Sequence, residues 1–271
     1  MILSRNALVL GAFTALAAGA AGAQAPQAEC DVNESSPKEV ATSMLMIQRA
    51  RSETRPAQRM DQFRKIVKSL TEKGDQPNPV GRAYQLGKVF YSILEDSTAP
   101  QMTTRGDLGF TTNPTAQVDV GVLADSVMKV VEASNPACRS LTGTWRRQNG
   151  WLRVTQRASR LYNEGQMDSA AFYARRSILL DPSAPYGYSI LATVAQKNND
   201  IPTAIQFTRQ AAEAAKSDTA FADQRRASLF NVGILVGSQA EGATGEEQKR
   251  LARESAQAFQ VYLAEAGPND E

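Results

Sequence analysis

From residue 37 onward apolar residues recur three and four apart, in segments bounded by prolines, glycines and short polar clusters. That spacing predicts helices over 37–52, 56–73, 79–95, 118–133, 145–163, 167–180, 186–198, 202–217, 219–239 and 246–266. Pro37, Pro56, Pro79 and Pro202 stand at helix starts, where a missing N–H costs nothing. No segment alternates convincingly with the period of a strand, so no strand is expected. The stretch 97–117, STAPQMTTRGDLGFTTNPTAQ, is the one long irregular loop, and a loop of that length is either mobile or functional.

The second half of the chain matches itself at a shift of 34 residues. In that register Val154 meets Tyr188, Ala158 meets Ala192, Leu161 meets Ala195, Gly165 meets Asn199, Ala170 meets Ala204, Tyr173 meets Phe207 and Ser177 meets Ala211. Large positions meet large ones and small meet small. The first unit, 151–184, turns at Gly165–Asp168 and closes on Asp181-Pro182; the second, 185–218, turns at Asn199-Asp200-Ile201-Pro202. Gly and Asn are the residues that take a left-handed helix cap at least cost. A degenerate third unit occupies 219–271, with Val232-Gly233 and Ala256 in the matching places and eleven surplus residues. Longer helices or a loop at Gly242–Gly245 must absorb them.

With these small residues at a fixed interval, the chain resembles the tetratricopeptide-repeat (TPR) family. The resemblance implies an all-α, right-handed superhelical solenoid of antiparallel helix hairpins, with the first helix of each pair lining the inner face. On that reading 24–96 forms degenerate TPR-like hairpins marked by Leu86-Gly87 and Phe90, 97–117 is the irregular loop, 118–144 is a connecting helix and loop, and 145–271 holds the repeats. The family's inner face then falls on Leu152, Thr155, Ser159, Tyr162 and Asn163, on Tyr186, Ser189, Thr193, Gln196 and Lys197, and on Ala227, Phe230 and Ile234. From these, Thr155, Ser159, Tyr162, Tyr186, Ser189, Thr193, Gln196 and Phe230 are the candidate partner-binding residues. Tyr162, Tyr186 and Phe230 either pack between hairpins or anchor a bound peptide. A carboxylate clamp needs paired Lys and Asn on this face, and Thr155, Ser159 and Ile190 stand there instead.

Ahead of the helices, Arg5, the apolar run 7–20 and the small residues after it read as a signal peptide over 1–23, giving a mature start at Gln24. An uncleaved membrane anchor is the alternative. The two cysteines, Cys30 and Cys138, would then meet an oxidising compartment, where a disulfide between them is the natural pairing and two buried free thiols the other reading. Exported, periplasmic or extracellular, is therefore the expected location.

Composition narrows the chemistry further. Among 271 residues there is no histidine, which removes the usual general base and the commonest metal ligand. No Gly-rich phosphate loop carries a lysine, so no cofactor or metal is expected. With 30 basic against 28 acidic residues the net charge is +2, and no nucleic-acid partner is implied. Arg146, Arg147, Arg153, Arg157 and Arg160 form a basic run, the last three on one helix face, either solvated or facing an anion. A non-catalytic scaffold for a protein or peptide partner is the leading expectation. The rivals are a small-ligand carrier with a cavity at Tyr84, Phe90 or Tyr91 and, behind it, a carboxylate-only enzyme.

Overall fold

The computed structural model describes residues 30, 32, 38–72 and 78–266, so the predicted signal segment and mature start lie outside it. Among the described residues the protein is all-helical apart from one small ribbon. The N-terminal half contains α1 (Lys38–Ser52), α2 (Pro56–Thr71) and α3 (Pro79–Glu95), then β1 (Met102–Thr104), the single-turn α4 (Arg105–Leu108), β2 (Gln117–Asp119) and α5 (Val120–Ser134). After α6 (Cys138–Arg146) come three consecutive antiparallel pairs: α7 (Asn149–Asn163) with α8 (Met167–Leu180), α9 (Tyr186–Lys197) with α10 (Ile201–Ala214), and α11 (Ala222–Glu241) with α12 (Gly245–Ala266). Each helix in this second half packs on the next, and α7 also touches α9.

Local chemistry accounts for the turns. Gly165 between α7 and α8 has φ +77°, and Asn199 between α9 and α10 has φ +59°, the left-handed caps expected of Gly and Asn. Asp200 caps α10 by accepting from the Thr203 amide, and Pro202 fills its first turn. Small residues meet where the helices are closest: Ala158, Ala170 and Ala174 are wholly buried in one cluster with Leu161, Leu191 and Val194. Ala195 and Ala204 join the next cluster with Val232, Leu235 and Leu251. The surplus residues of the last unit lengthen both helices, and only Gly242–Thr244 separates them.

Two expectations are corrected. The stretch 97–117 is not irregular, and strands are present: β1 and β2 pair antiparallel with Thr103 opposite Val118, and α4 folds between them. Three residues per strand are too few to show an alternating pattern. The segment is held by side chains: Thr104 caps α4 at the Asp107 amide, and Gly109, at φ +100°, lies so close to the Arg64 carbonyl that a side chain has no room.

The second correction concerns 145–163, which is not one helix. It breaks at Arg147 and Gln148 because the two arginines at the corner are drawn to different partners. Arg146, 4% exposed, inserts between α3, α5 and α8: Nε donates to Glu132 at 2.7 Å, and Nη1 donates to Asp125 at 3.1 Å and to the Leu180 carbonyl at 2.9 Å. Arg147 instead donates to Asp181 at 2.9 Å and pairs with Asp218. These contacts bolt the N-terminal half to the repeats, and Tyr91 of α3 adds a hydrogen bond to the Leu180 carbonyl at 2.8 Å.

The largest core lies in the N-terminal half. Phe63, Ile66, Phe90, Tyr91, Met128 and Val131 are wholly buried there, and the cluster reaches Trp151 and Phe221. Cys30 and Cys138 are bonded to each other, their Cα atoms 4.8 Å apart across a sequence separation of 108. Asn78 reinforces this tie by donating to the Val32 carbonyl at 3.1 Å. No helix of the described residues is long and apolar enough to cross a membrane.

Candidate functional site

The residues proposed for the inner face divide into three groups. Ser159, Ser189 and Gln196 are exposed, and so are the apolar or aromatic Leu152, Tyr186, Phe230 and Ile234 on the same first helices. Tyr162 and Thr193 are half-buried, Tyr162 against the Ala158 cluster, while Thr193 donates back to the Ser189 carbonyl at 2.7 Å. Thr155 is buried: its hydroxyl donates to the Trp151 carbonyl at 2.9 Å and lies 2.6 Å from the Ser177 hydroxyl. Thr155 is therefore a packing residue joining α7 to α8, and it leaves the candidate list.

Tyr186 packs between hairpins and stays partly open to solvent. Its ring lies 6.1 Å from Trp151 and 5.8 Å from Phe221, bridging α7 to the turn before α11, and its hydroxyl accepts from Gln224 at 3.2 Å. More than a third of it still faces solvent. Phe230 packs edge-on against Phe259 and Tyr262 of α12 and is 42% exposed. The outcome is a row of neutral, partly aromatic side chains along α7, α9 and α11.

A second feature is a set of adjoining clefts where α3 meets α1, α2, α6 and α7, of about 620, 480 and 360 Å³. The largest lies between α7, the end of α3 and residues 96–101, with Tyr173 of α8 on its wall. It shares Asp96 and Ser97 with the smallest, which in turn shares Arg51 with the third. Gly150 lets the segments meet, since a Cβ there would stand 3.0 Å from the Leu94 side chain.

This trough is basic. Its lining holds six cations, Arg51, Arg59, Lys88, Arg153, Arg157 and Arg160, against the carboxylates of Glu95 and Asp96. Both acids are engaged, Glu95 by Arg51 at 3.1 Å and Asp96 by Arg59. Burial pushes the Glu95 carboxyl above its ordinary value, against the pull of Arg51 and Arg153. Burial acts on Asp96 in the same sense, but hydrogen bonds from Thr98 and Arg59 hold it below the usual carboxylate range. Lys88 is half-buried over the rings of Trp145 and Tyr84, at 5.3 and 5.5 Å, and burial with the nearby Arg51 lowers its pKa.

The basic run thus resolves into two kinds of arginine. Arg146 and Arg147 are structural. Arg153, Arg157 and Arg160 all line the largest cleft. Arg157 lies 4.4 Å over the Tyr173 ring, and among the described residues neither it nor Arg153 has a carboxylate within 4.0 Å. Arg160 reaches Glu164 at 3.7 Å across solvent, a weak contact. The stripe on α7 was legible from spacing; the opposite wall was not, because Arg51, Arg59 and Lys88 come from separate helices with no common motif.

Tyr84, Phe90 and Tyr91, the expected walls of a small-ligand cavity, are instead packed in the core at 7%, 0% and 0% exposure. The buried or largely buried carboxylates Asp125, Glu132 and Asp181 all hold arginines. Among the described residues no group of His, Cys, Asp or Glu is arranged to bind a metal ion. No family model matches the chain, and no curated protein and no solved structure matches it either.

Proposed function

We propose that the protein is an exported, non-catalytic scaffold of stacked TPR-like helix hairpins, turning as a right-handed superhelix, which binds a protein or peptide partner in the bacterial envelope. The observation that carries this reading is the exposed row on α7, α9 and α11, where Leu152, Tyr186, Phe230 and Ile234 stand among Ser159, Ser189 and Gln196. Exposed aromatic and aliphatic side chains held on rigid helices lose little freedom when a partner covers them. The sequential pairing of helices through buried alanines supports the repeat architecture, in which no hairpin hides its apolar stripe alone. The Cys30–Cys138 bond supports export, because such bonds persist in oxidising compartments.

The test uses two exposed positions on different first helices. Gln196→Arg/Ile234→Arg should leave the helical signal and melting curve unchanged while abolishing crosslinks to the envelope partners captured by the unaltered protein. Retention of every partner by this variant would remove the inner-face reading.

A further inference from the structure

The basic trough shares no lining residue with the exposed row just described, and part of its charge, on Arg153, Arg157 and Lys88, has no carboxylate of the fold to meet. Structural arginines in this protein meet carboxylates: Arg146 meets two, Arg147 two and Arg176 one. In the trough, Arg153 and Arg157 meet none, and Lys88 is half-buried without one. Arg153 spends a donor on the Glu95 carbonyl, and the Arg157 guanidinium lies over the Tyr173 ring. A guanidinium held against a ring keeps its outer edge free to take a carboxylate with two parallel hydrogen bonds.

We propose that this trough is a docking site for an acidic, extended peptide segment of a partner protein, with Arg153, Arg157 and Arg160 receiving its carboxylates. The inference rests on the reading of the protein as a binding scaffold, but not on the row along α7, α9 and α11. Complementarity of charge names the occupant: six cations against two carboxylates leave a surplus of four, more than the surplus of the whole chain. The shape narrows it. Arg51, Arg153, Arg157 and Arg160 are exposed around connected clefts, with Arg59 and Lys88 set deeper, and the walls also present Ala99, Pro100 and Tyr173, which suit the side chains between successive acids. The clefts run on from one to the next through shared lining residues, a path that a single extended chain can follow.

Fluorescence anisotropy of a fluorescein-labelled peptide of alternating glutamate and leucine tests the proposal on the purified full chain. Binding should weaken steeply as salt is raised, and Arg157→Glu/Arg160→Glu should weaken it by about tenfold or more. A charge-matched control, Arg175→Glu/Arg253→Glu, should bind as the unaltered protein does, since both positions are exposed and outside the trough. If the reversal disturbs folding, Arg157→Gln/Arg160→Gln keeps the side-chain stems and is read in its place. Equal binding by the trough variant, or equal losses in trough variant and control, overturns the site. Displacement of the peptide by millimolar inorganic phosphate or by phosphatidylglycerol vesicles overturns the peptide assignment in favour of a phosphate-bearing ligand. Failure of this peptide to bind, with crosslinks through Gln196 and Ile234 intact, sinks the trough and spares the scaffold.

Discussion

Replacing Cys30 and Cys138 by serine is expected to lower the stability of the fold by up to about 4 to 5 kcal/mol. The bond closes a loop of 108 residues, and the chain-entropy model assigns such a loop about 4 to 5 kcal/mol at 25 °C. The native side of the balance points the same way. Cys138 is 2% exposed at the start of α6, packed into the largest core, so the bond holds residue 30 against that core. Asn78 and Val32 continue the same seam. Urea melts of the oxidised protein, the reduced protein and Cys30→Ser/Cys138→Ser should show the last two alike and both well below the first. A difference under about 1 kcal/mol would mean that the seam holds without the bond.

Arg146→Met is expected to cost about 3 to 5 kcal/mol, because it leaves two acids facing each other in a closed space. Asp125 is 4% exposed and Glu132 largely buried, and Arg146 is the cation that both address. Lys129 also reaches Asp125 at 2.7 Å, but from a solvent-exposed position. The lost donor leaves the Leu180 carbonyl with only Tyr91, so α8 loosens from α3 and α5 together. Adding Asp125→Asn to Arg146→Met should restore part of the loss. A melt unchanged by Arg146→Met, or a double variant less stable than the single one by the full cost of each change, would show that the triad does not join the halves.

Most helices were legible because their signals are local. Apolar spacing marked the bodies, Pro56, Pro79 and Pro202 marked starts, and Gly165 and Asn199 marked turns whose backbone is left-handed as those residues allow. The interval of 34 also marks Ala158 and Ala170 as small positions, and the two lie in one buried cluster. What escaped was decided at a distance. Arg146 and Arg147 are adjacent in sequence but answer to Asp125 and Glu132 on one side and to Asp181 and Asp218 on the other, and this pull breaks a helix that periodicity alone continues. The TPR resemblance puts Thr155 on an open face; the Ser177 hydroxyl opposite it, on another helix, shows why it is inside. The trough needed α1, α2, α3 and α7 brought together, and only its α7 wall has a sequence signature.

The alanine-rich seams of the last two hairpins give the molecule a direction. The buried members of the cluster shared by α9 to α12 include no aromatic residue, whereas the core beside the cystine holds Phe63, Phe90, Tyr91 and Trp151. Beyond α12, at least through residue 266, no further described helix covers Val261 and Leu263, which stay 46% and 60% open to water. Local melting is therefore expected to start in the hairpin of α11 and α12 and to travel inward, halting at the corner where Arg146 and Arg147 clasp the two halves.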